Sequence, residues 1–301
     1  MISLKEVKSK LDIDSIKNIV KGTSRNTFLL KSKNKRYVLK LHDKEEKRDL
    51  QKKINYLKKI NSKKEITVNP INDKVLEFED AVGYYYEYFE GVHYTNAKIP
   101  NKLFRFGEIV GEFSRVTKDL EPTIKSNSYE ETAIRKSKEW VKKEGPYTDL
   151  IEKGLKLTEK LRKKKYRSQI IHGDLHFDNV IYNKKTKEYR IIDVSTISKG
   201  ILAREISVMI SYALSNSSEE NKKVITKLLE GYESKFKLTK KEKQAMPALM
   251  VLRKIGEIKW LLKQLNSKKI KRKDFDRWAG GSVKQLKIIT SHFEELEKTF
   301  V

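Results

Sequence analysis

The pattern of apolar residues changes near Gly91, and this change limits the folds open to the chain. Before Gly91, apolar and aromatic residues alternate over short runs, which is typical of β-strands. After it, apolar residues recur at spacings of three and four, which is typical of amphipathic helices. A chain of 301 residues, 38% of them hydrophobic, can bury a core of this mixed kind. We therefore predict a small sheet with one helix at residues 1–90 and a mainly helical region at residues 91–301.

Short runs in the first part predict its strands and its helix. Strands are expected from the alternating stretches SIKNIVKG, TSRNTFLLKS and KRYVLKLH, which begin at Ser15 and end at His42. Residues 44–60 place apolar side chains on one helix face, with acidic residues in the first turn, where the helix dipole favours them. Two further apolar and aromatic runs, KVLEFED and AVGYYYEYFEG, extend the predicted strands to Gly91.

Helical periodicity dominates the second part of the chain. It is found in the runs NKLFRFGEIVGEFSRV, DLIEKGLKLTEKLRKK, LAREISVMISYAL, NKKVITKLLEGYESKF and MVLRKIGEIKWLLKQL. Between the first two runs, residues 120–146 are polar and interrupted by proline. We expect an excursion there, whose secondary structure the pattern leaves open.

Composition restricts the compartment and the partners of the chain. It has no cysteine, which agrees with a reducing compartment, and its opening MISLKEVKSKL lacks the apolar core of a signal peptide. No run of about 18 apolar residues occurs, so we expect a cytoplasmic protein without a membrane span. The net charge of +26 attracts anions, but the lysines are dispersed along the chain, which favours solvated helix faces over a nucleic-acid site.

The segment IIHGDLHFDNVIYN, residues 170–183, concentrates polar side chains between two apolar runs. His172 and His176 are four residues apart, which is the spacing of a zinc-binding pair on one helix face. Gly173 lies between them, however, and the flanking apolar runs predict strand, loop and strand rather than helix. We therefore expect His172 to hold the loop, and His176 either to support the loop or to face a phosphate.

The oxygen-bearing side chains of the same segment suit phosphoryl transfer. This reaction needs a carboxylate that orients the attacking hydroxyl, oxygen ligands for magnesium, and positive charge on the phosphates. Asp174 is the candidate carboxylate, and Asn179, five residues later, is a candidate neutral ligand. Asp193 follows the apolar strand YRII and is a candidate charged ligand. A loop, strand, turn and strand would bring these groups to neighbouring strand ends.

The motif HGDLHFDN, followed by IID, resembles the catalytic and metal-binding loops of the aminoglycoside phosphotransferase and choline kinase-like enzymes. These enzymes are relatives of protein kinases and phosphorylate hydroxyl groups of small molecules. The resemblance implies a bilobal, protein kinase-like α+β fold, in which a small N-terminal antiparallel sheet with one helix precedes a larger, mainly helical lobe. It also implies that Asp174 is the catalytic base and that Asn179 and Asp193 bind Mg²⁺.

Further stretches extend this resemblance over most of the chain. KGTSRNTFLL is similar to the loop that covers the nucleotide, and YVLK is similar to the strand that bears the phosphate-binding lysine. YYEYFEG resembles the hinge that holds adenine through backbone groups, and FGEIVGEFSRV resembles the first long helix of the larger lobe. The residues that the resemblance places at ATP are Gly22, Thr23, Ser24, Asn26, Lys40, Glu87, Tyr88 and Phe89.

The predicted helix after YVLK departs from the pattern of protein kinase-like folds. Those folds pair the strand lysine with a glutamate in this helix. Here residues 50–64 contain no acidic side chain. The position that aligns with the glutamate is about Lys53. We expect one of two arrangements. Either Lys40 pairs with Glu46 or Asp49 from an earlier turn, or it is positioned by Asp193 and the phosphates alone.

The combined prediction is an ATP- and Mg²⁺-dependent kinase that transfers the γ-phosphate to a hydroxyl of a small molecule. A nucleotide-binding lobe is expected at residues 1–90 and a catalytic and acceptor-binding lobe at residues 91–301. Three alternatives remain at this point. The first is a pseudokinase or structural protein of the same fold, the second is a protein-substrate kinase, and the third is a nucleic-acid-binding protein, which the dispersed charge disfavours.

The acceptor stays open in the sequence. A cationic aminoglycoside would need a cluster of carboxylates, and the two candidate clusters are Glu130 with Glu131, and Glu294 and Glu295 with Glu297. These clusters are equally consistent with solvated helix faces. With a net charge of +26, an uncharged or anionic hydroxyl compound is at least as suitable an acceptor.

Overall fold

The computed structural model describes residues 4–18, 26–123, 147–159, 161 and 165–300. Strands predominate in its N-terminal part, where the largest sheet is antiparallel, and helices predominate in its C-terminal part. The predicted α+β class is therefore confirmed. Of the stretch predicted as an excursion, residues 124–146 lie outside the described residues.

The strands and helices are numbered in chain order. The strands are β1 (Ser15–Asn18), β2 (Thr27–Ser32), β3 (Lys35–His42), β4 (Leu76–Glu77), β5 (Val82–Glu87), β6 (Val92–His93), β7 (Ser168–Ile171), β8 (Val180–Tyr182), β9 (Tyr189–Ile191) and β10 (Ser198–Ile201). The helices are α1 (Leu4–Leu11), α2 (Lys47–Lys63), α3 (Lys102–Thr117), α4 (Thr148–Leu157), α5 (Arg204–Ala213), α6 (Ser218–Glu233), α7 (Lys240–Asn266), α8 (Arg272–Ser291) and α9 (Phe293–Thr299). Helices α1, α8 and α9 have no counterpart among the predicted runs. Within the described residues, none of the helices combines the length and the apolar character that a bilayer crossing needs.

The main sheet contains five strands in the order β1-β2-β3-β5-β4, with antiparallel neighbours throughout. Alternation along β3 places Leu39 and Leu41 in an apolar core that also contains Phe78. Lys40, between the two leucines, points to the opposite face of the sheet and is paired in register with Tyr84 on β5. The alternation that was read from the sequence thus keeps Lys40 out of this core.

Helix α2 buries the apolar face that its sequence predicts, with Leu50, Ile54 and Leu57 on the inside. The helix was expected over residues 44–60. In the structure, Lys44–Glu46 form a 3₁₀ turn and the α-helix continues from Lys47 to Lys63. Asp49 lies in the first turn of α2, as the helix dipole favours, while Glu45 and Glu46 lie in the preceding 3₁₀ turn.

The chain folds into two compact units. Unit 1 comprises Met1–Ala97 and Asp178–Thr196, and unit 2 comprises Lys98–Phe177 and Ile197–Val301. This division differs from the single boundary expected after residue 90, because residues 178–196 return to unit 1. There β8 pairs with both β6 and β9, and Ile191 forms a parallel bridge with Thr67. Pairing between such distant stretches leaves no mark in the local apolar pattern.

Helices α3 and α6 of unit 2 approach each other closely through glycines. A Cβ atom added to Gly231 on α6 would overlap the main-chain oxygen of Phe104 on α3. A Cβ atom added to Gly107 on α3 would in turn overlap the main-chain oxygen of Leu228 on α6. Because backbone atoms cannot move aside as a flexible side chain can, these positions require glycine.

Replacing Gly231 with alanine is therefore expected to destabilise the protein. Forcing extra atoms into a close-packed contact costs about 1–3 kcal/mol. Thermal unfolding followed by circular dichroism should show a lowered midpoint. The matched control is Gly280→Ala on α8, where an added Cβ meets nothing within 4 Å. That control should gain about 0.5–1 kcal/mol from helix propensity. A Gly231→Ala variant as stable as the wild type would contradict the contact between these helices.

Candidate active site

The loop of the HGD motif follows β7 in unit 2, and its first two residues hold its shape. Gly173 has φ 78°, a left-handed conformation that glycine adopts at little cost. His172 is fully buried, and its ring lies edge-on to Phe113. The N–H of Asp174 donates to Nδ1 of His172 at 3.3 Å. The structure thus gives His172 the supporting role expected from the sequence.

Two residues of α5 anchor the backbone of the same loop. The carboxylate of Glu205 accepts hydrogen bonds from the N–H groups of His172 (2.5 Å) and Gly173 (3.3 Å). The Arg204 guanidinium donates to the carbonyl of Gly173 at 3.1 Å. Burial raises the pKa of Glu205 to about 7, although the His172 N–H and Arg204 act in the opposite direction. Sequence reasoning missed both residues, and the available signal was a charged pair inside the apolar run LAREISVMISYAL.

The side chain of Asp174 is paired with a cation from α7. Nη2 of Arg253 donates to Oδ1 of Asp174, and Nε2 of His176 lies 3.8 Å from the same oxygen. The Asp174 side chain is 24% exposed, so solvent or a substrate can reach it. The partner Arg253 was not predicted, although the adjacent Arg253 and Lys254 stand out in the apolar run MVLRKIGEIKWLL.

Behind Arg253, the carboxylate of Glu257 is contacted by two cations and two hydroxyl groups from three helices. Nε of Arg253 lies 2.8 Å from Oε1 of Glu257, and Nζ of Lys254 lies 3.1 Å from Oε2. The hydroxyls of Tyr212 and Ser282 donate to Glu257 at 2.6 Å and 2.8 Å. Lys254 also lies over the Tyr212 ring, 3.3 Å from its centroid. Arg253 therefore contacts Asp174 through Nη2 and Glu257 through Nε.

Burial and charge shift the pKa values of this network in opposite directions. Burial by itself raises the pKa of Glu257, but Lys254, Arg253 and the two hydroxyl donors outweigh it and lower the pKa to about 2. Burial lowers the pKa of Lys254 to about 8, although Glu257 acts against this change. At neutral pH the charges of Glu257 and Arg253 are therefore both present, and they support each other.

Glu257 should accordingly contribute to stability in a pH-dependent way. Its pKa in the folded protein, about 2, lies below its ordinary value of 4.5, so its stabilising contribution is present above pH 4.5 and is lost as the pH falls towards 2. The full contribution is about 3 kcal/mol. Glu257→Gln should lower the melting temperature at pH 7, and the difference from the wild type should shrink between pH 5 and pH 2. The exposed Glu219→Gln serves as the control, and a difference that stays constant with pH would contradict the assignment.

The predicted magnesium ligands belong to unit 1 and lie at one end of the β8–β9 pair. Val180 and Ile191 are partners in register, and the N–H of Ile192 donates to the carbonyl of Asn179 at 2.9 Å. Asn179 and Asp193 therefore flank the same strand ends, as the sequence predicted. Asp193 has a backbone φ of 58°, a left-handed conformation that residues other than glycine rarely adopt.

Lys40 is paired with Asp193 and not with a carboxylate of α2. Its Nζ lies 2.5 Å from Oδ1 of Asp193, and its side chain is 12% exposed. Glu46 lies instead 3.1 Å from Nδ1 of His42, and Asp49 lies 3.7 Å from Nζ of Lys53. Of the two arrangements that the sequence left open, the structure has the one in which Asp193 positions the lysine.

The remaining residues expected at ATP lie in unit 1 where they are described. Gly22, Thr23 and Ser24 lie outside the described residues. Asn26 precedes β2, and its carbonyl accepts the N–H of Leu41 at 2.9 Å. Lys40 and Asn26 are thus brought together by the β2–β3 pairing.

The three hinge residues that were assigned to ATP begin where β5 ends, at Glu87. The N–H of Tyr88 donates to the carbonyl of Arg36 at 2.9 Å, and the Arg36 guanidinium lies over the Tyr88 ring. The Phe89 ring lies under the guanidinium of Arg190. These contacts direct both rings towards arginines.

Asn179 and Asp193 suit a magnesium ion that also binds phosphates. Mg²⁺ prefers oxygen ligands, and proteins commonly supply only one or two carboxylates while phosphates and water complete the octahedron. Within the described residues no group of three or more histidine, aspartate or glutamate side chains forms a cage for a metal. An amide oxygen, one carboxylate and the neighbouring Lys40 therefore fit a metal–nucleotide complex better than a metal bound by protein alone.

An antiparallel sheet with a lysine–aspartate pair, followed by an HGD loop in a helical region, defines the class of protein kinase-like phosphotransferases. The match of residues 15–242 to the phosphotransferase enzyme family shows that the chain belongs to this family. The predicted resemblance and the predicted enzyme class are confirmed. A comparison with curated proteins found no match.

Several solved structures share the fold at low sequence identity. A microcompartment-associated aminopropanol kinase has a TM-score of 0.75 at 12% identity, with 98% of each chain covered. An amicoumacin kinase in complex with AMP-PNP and Ca²⁺ has a TM-score of 0.69 at 16% identity, with 95% of this chain and 96% of that chain covered. A choline kinase from Streptococcus pneumoniae has a TM-score of 0.66 at 16% identity, covering 94% and 96%.

Proposed function

We propose that this phosphotransferase is an ATP- and Mg²⁺-dependent kinase that transfers the γ-phosphoryl group to a hydroxyl of a small molecule. The single observation that carries the proposal is the Lys40–Asp193 ion pair at 2.5 Å. It unites a phosphate-binding cation with a metal-binding carboxylate in unit 1. The solved relatives support the proposal: one is bound to the ATP analogue AMP-PNP, and others are named for aminopropanol and choline, which both carry a hydroxyl.

Nucleotide binding is assigned to residues 1–90. Catalysis and acceptor binding are assigned to residues 91–301, except for residues 178–196, which belong to unit 1. Adenine is assigned to the backbone of Glu87–Phe89. Within the part of the chain that the structure describes, the N–H of Phe89 has no backbone partner, so it can donate to a base. Gly22, Thr23, Ser24 and Asn26 are assigned to the loop that covers the phosphates.

Oδ1 of Asp193 contacts Lys40 in the structure, so a bound metal–nucleotide complex would compete with Lys40 for this carboxylate. Asn179 and Asp193 would hold Mg²⁺, which supplies neutralisation of the charge on the phosphates. Lys40 would in turn pair with a phosphate of the nucleotide. Because both partners of the ion pair find new partners of opposite charge, the exchange leaves no buried charge uncompensated.

Asp174 acts on the acceptor. Its carboxylate orients the attacking hydroxyl and accepts its proton, while Arg253 and the N–H bond to His172 fix its position. Arg253 is itself held by Glu257, which is bound by Lys254. Catalysis in this scheme comes from positioning and charge compensation rather than covalent chemistry.

The surroundings of Asp174 favour an uncharged or anionic acceptor over a cationic one. Arg253 places a positive charge beside the base, and the charge of Glu257, a carboxylate of the same network, is already compensated by Arg253 and Lys254. Of the two carboxylate clusters considered for an aminoglycoside, Glu130 and Glu131 lie outside the described residues. In the other cluster, Glu295 accepts the Ser218 hydroxyl at 2.6 Å and pairs with His292.

An acceptor screen coupled to ADP release tests the proposal. The panel should contain aminoglycosides, amino alcohols, neutral polyols and nucleosides, and hydroxy acids, each with ATP and Mg²⁺. We expect turnover with a neutral or anionic hydroxyl compound. Slow ATP hydrolysis that no compound accelerates would favour a pseudokinase, and phosphorylation of added protein alone would favour a protein kinase.

A further inference from the structure

Lys53 is a buried lysine on the apolar face of α2. It is 9% exposed and shares this face with Leu50, Ile54 and Leu57. Lysine is rarely buried to this degree unless its charge is compensated. The residue also stands near the helix position where protein kinase-like folds have a glutamate. Its burial therefore needs an explanation from its contacts.

Those contacts lead to the loop that carries Asp193. Nζ of Lys53 donates to the main-chain oxygen of Ser195 at 2.6 Å, while the carboxylate of Asp49 lies farther away, at 3.7 Å. The closer contact is thus with a carbonyl two residues beyond Asp193. A charged donor strengthens such a hydrogen bond, and the low exposure protects it from water.

Ser195 continues the connection to the candidate metal ligand. Its hydroxyl donates to Oδ1 of Asp193 at 2.9 Å, and the same oxygen is 2.5 Å from Nζ of Lys40. A continuous series of contacts therefore runs from Lys53 through Ser195 and Asp193 to Lys40. All four residues belong to unit 1.

The backbone of Asp193 needs such support. A left-handed φ of 58° in a residue other than glycine persists only where surrounding contacts hold it. Before Asp193, the hydrogen bond from Ile192 to Asn179 fixes the chain, and after it Val194 is buried. Lys53 adds a contact that ties the following residue, Ser195, to α2.

We propose that Lys53 is a positioning residue that presets Asp193 for binding Mg²⁺ together with a nucleotide. The inference rests on the proposed kinase function and deepens it. In the usual arrangement α2 would hold the lysine through a carboxylate; here α2 holds the metal-binding aspartate through a lysine, and the aspartate holds Lys40. Nucleotide affinity should consequently depend on Lys53 when Mg²⁺ is present, and much less when it is absent.

Calorimetric titration of AMP-PNP into the full chain, with Mg²⁺ and with EDTA, tests this role. Lys53→Met should weaken binding in Mg²⁺ by about tenfold, the effect of losing one hydrogen bond from a charged donor. Binding in EDTA should change less than about twofold. Lys53→Arg retains the charged donor and should recover most of the affinity. Lys59→Met, on the exposed side of the same helix, is the matched control and should bind like the wild type.

The charge-reversal variant Lys53→Glu tests whether position 53 acts through its lysine or has simply lost the glutamate that protein kinase-like folds have there. If position 53 merely lacked the usual carboxylate, Lys53→Glu would pair with Lys40 and improve binding. If Lys53 presets Asp193, Lys53→Glu should bind more weakly than Lys53→Met in Mg²⁺, because its carboxylate would repel the Ser195 carbonyl and Asp193.

The outcomes distinguish this inference from the function on which it rests. Wild-type protein that does not bind AMP-PNP in Mg²⁺ would overturn the kinase proposal itself. Wild-type binding with an unchanged Lys53→Met, or equal losses in Mg²⁺ and in EDTA, would overturn the role of Lys53 alone. Should Lys53→Met fail to fold, Lys53→Gln replaces it: this variant keeps a neutral donor but loses the charge, so binding in Mg²⁺ should weaken selectively, and an unchanged affinity would overturn the proposal.

Discussion

Replacing Asp174 with alanine is expected to lower turnover by about 10²–10⁴-fold, the usual contribution of a positioned general base. Asp174 follows a glycine in the left-handed conformation, and its N–H is bound to the buried His172, so its side chain is held in one place. Arg253 and Glu257 remain paired in the variant and preserve the surrounding helices. The lost activity would therefore report the carboxylate and not a collapse of the loop.

Nucleotide binding should survive this change. The residues proposed to contact ATP and Mg²⁺ belong to unit 1, whereas Asp174 belongs to unit 2. ADP release with an acceptor measures turnover, and calorimetry with AMP-PNP measures binding. Asp174→Asn is the matched variant, because it keeps the shape and removes the basic oxygen. An unchanged rate in either variant would reject Asp174 as the base.

Replacing Asp193 with alanine should instead weaken Mg²⁺-dependent nucleotide binding, on the order of 100-fold or more, since loss of an outer-shell partner alone costs 10–100-fold. The variant removes a charged metal ligand and also the partner that holds Lys40 at 2.5 Å. Binding in EDTA should fall little, because the released Lys40 remains available to the phosphates.

Comparing nucleotide titrations in Mg²⁺ and in EDTA shows whether the lost affinity comes from the loss of a metal ligand. Titrations with Mg²⁺ and with EDTA should converge for Asp193→Ala, while they should stay far apart for the wild type. Asp73→Ala provides the control in unit 1, because Asp73 is exposed and pairs with Lys58. An Asp193→Ala variant that retains its Mg²⁺ dependence would place the metal elsewhere.

Most elements of the fold were predictable because their signals are local. The alternation of KRYVLKLH predicts both strand β3 and the side of the sheet on which Lys40 lies. The run of helix α2 likewise predicts the buried Leu50, Ile54, Leu57 and Ile60, but not Tyr56 or Lys53. The burial of Lys53 depends on a carbonyl 142 residues away. Helices α1, α8 and α9 were not predicted, and the return of residues 178–196 to unit 1 was not expected.

In the candidate site, too, features that depend on residue order were predictable, while contacts between distant residues were not. The order of Lys40, HGD, Asn179 and Asp193 along the chain, with their residue types, indicates phosphoryl transfer without any knowledge of contacts. Arg253 could not be linked to Asp174 in this way, since the two residues are 79 positions apart. The pairing of Lys40 with Asp193 spans 153 positions and was left as one of two possibilities.

The sequence by itself therefore determined the class of fold and the family, and it indicated the candidate side chains for the chemistry, because periodicity and short motifs depend on residues within a few positions of each other. Only the tertiary structure decided which charges meet. Ion pairing depends on distance in space and on exclusion of water, and both arise when distant segments pack. For this reason Lys40 is held by Asp193, Asp174 by Arg253, and the Asp193 loop by a lysine where the family pattern has a glutamate.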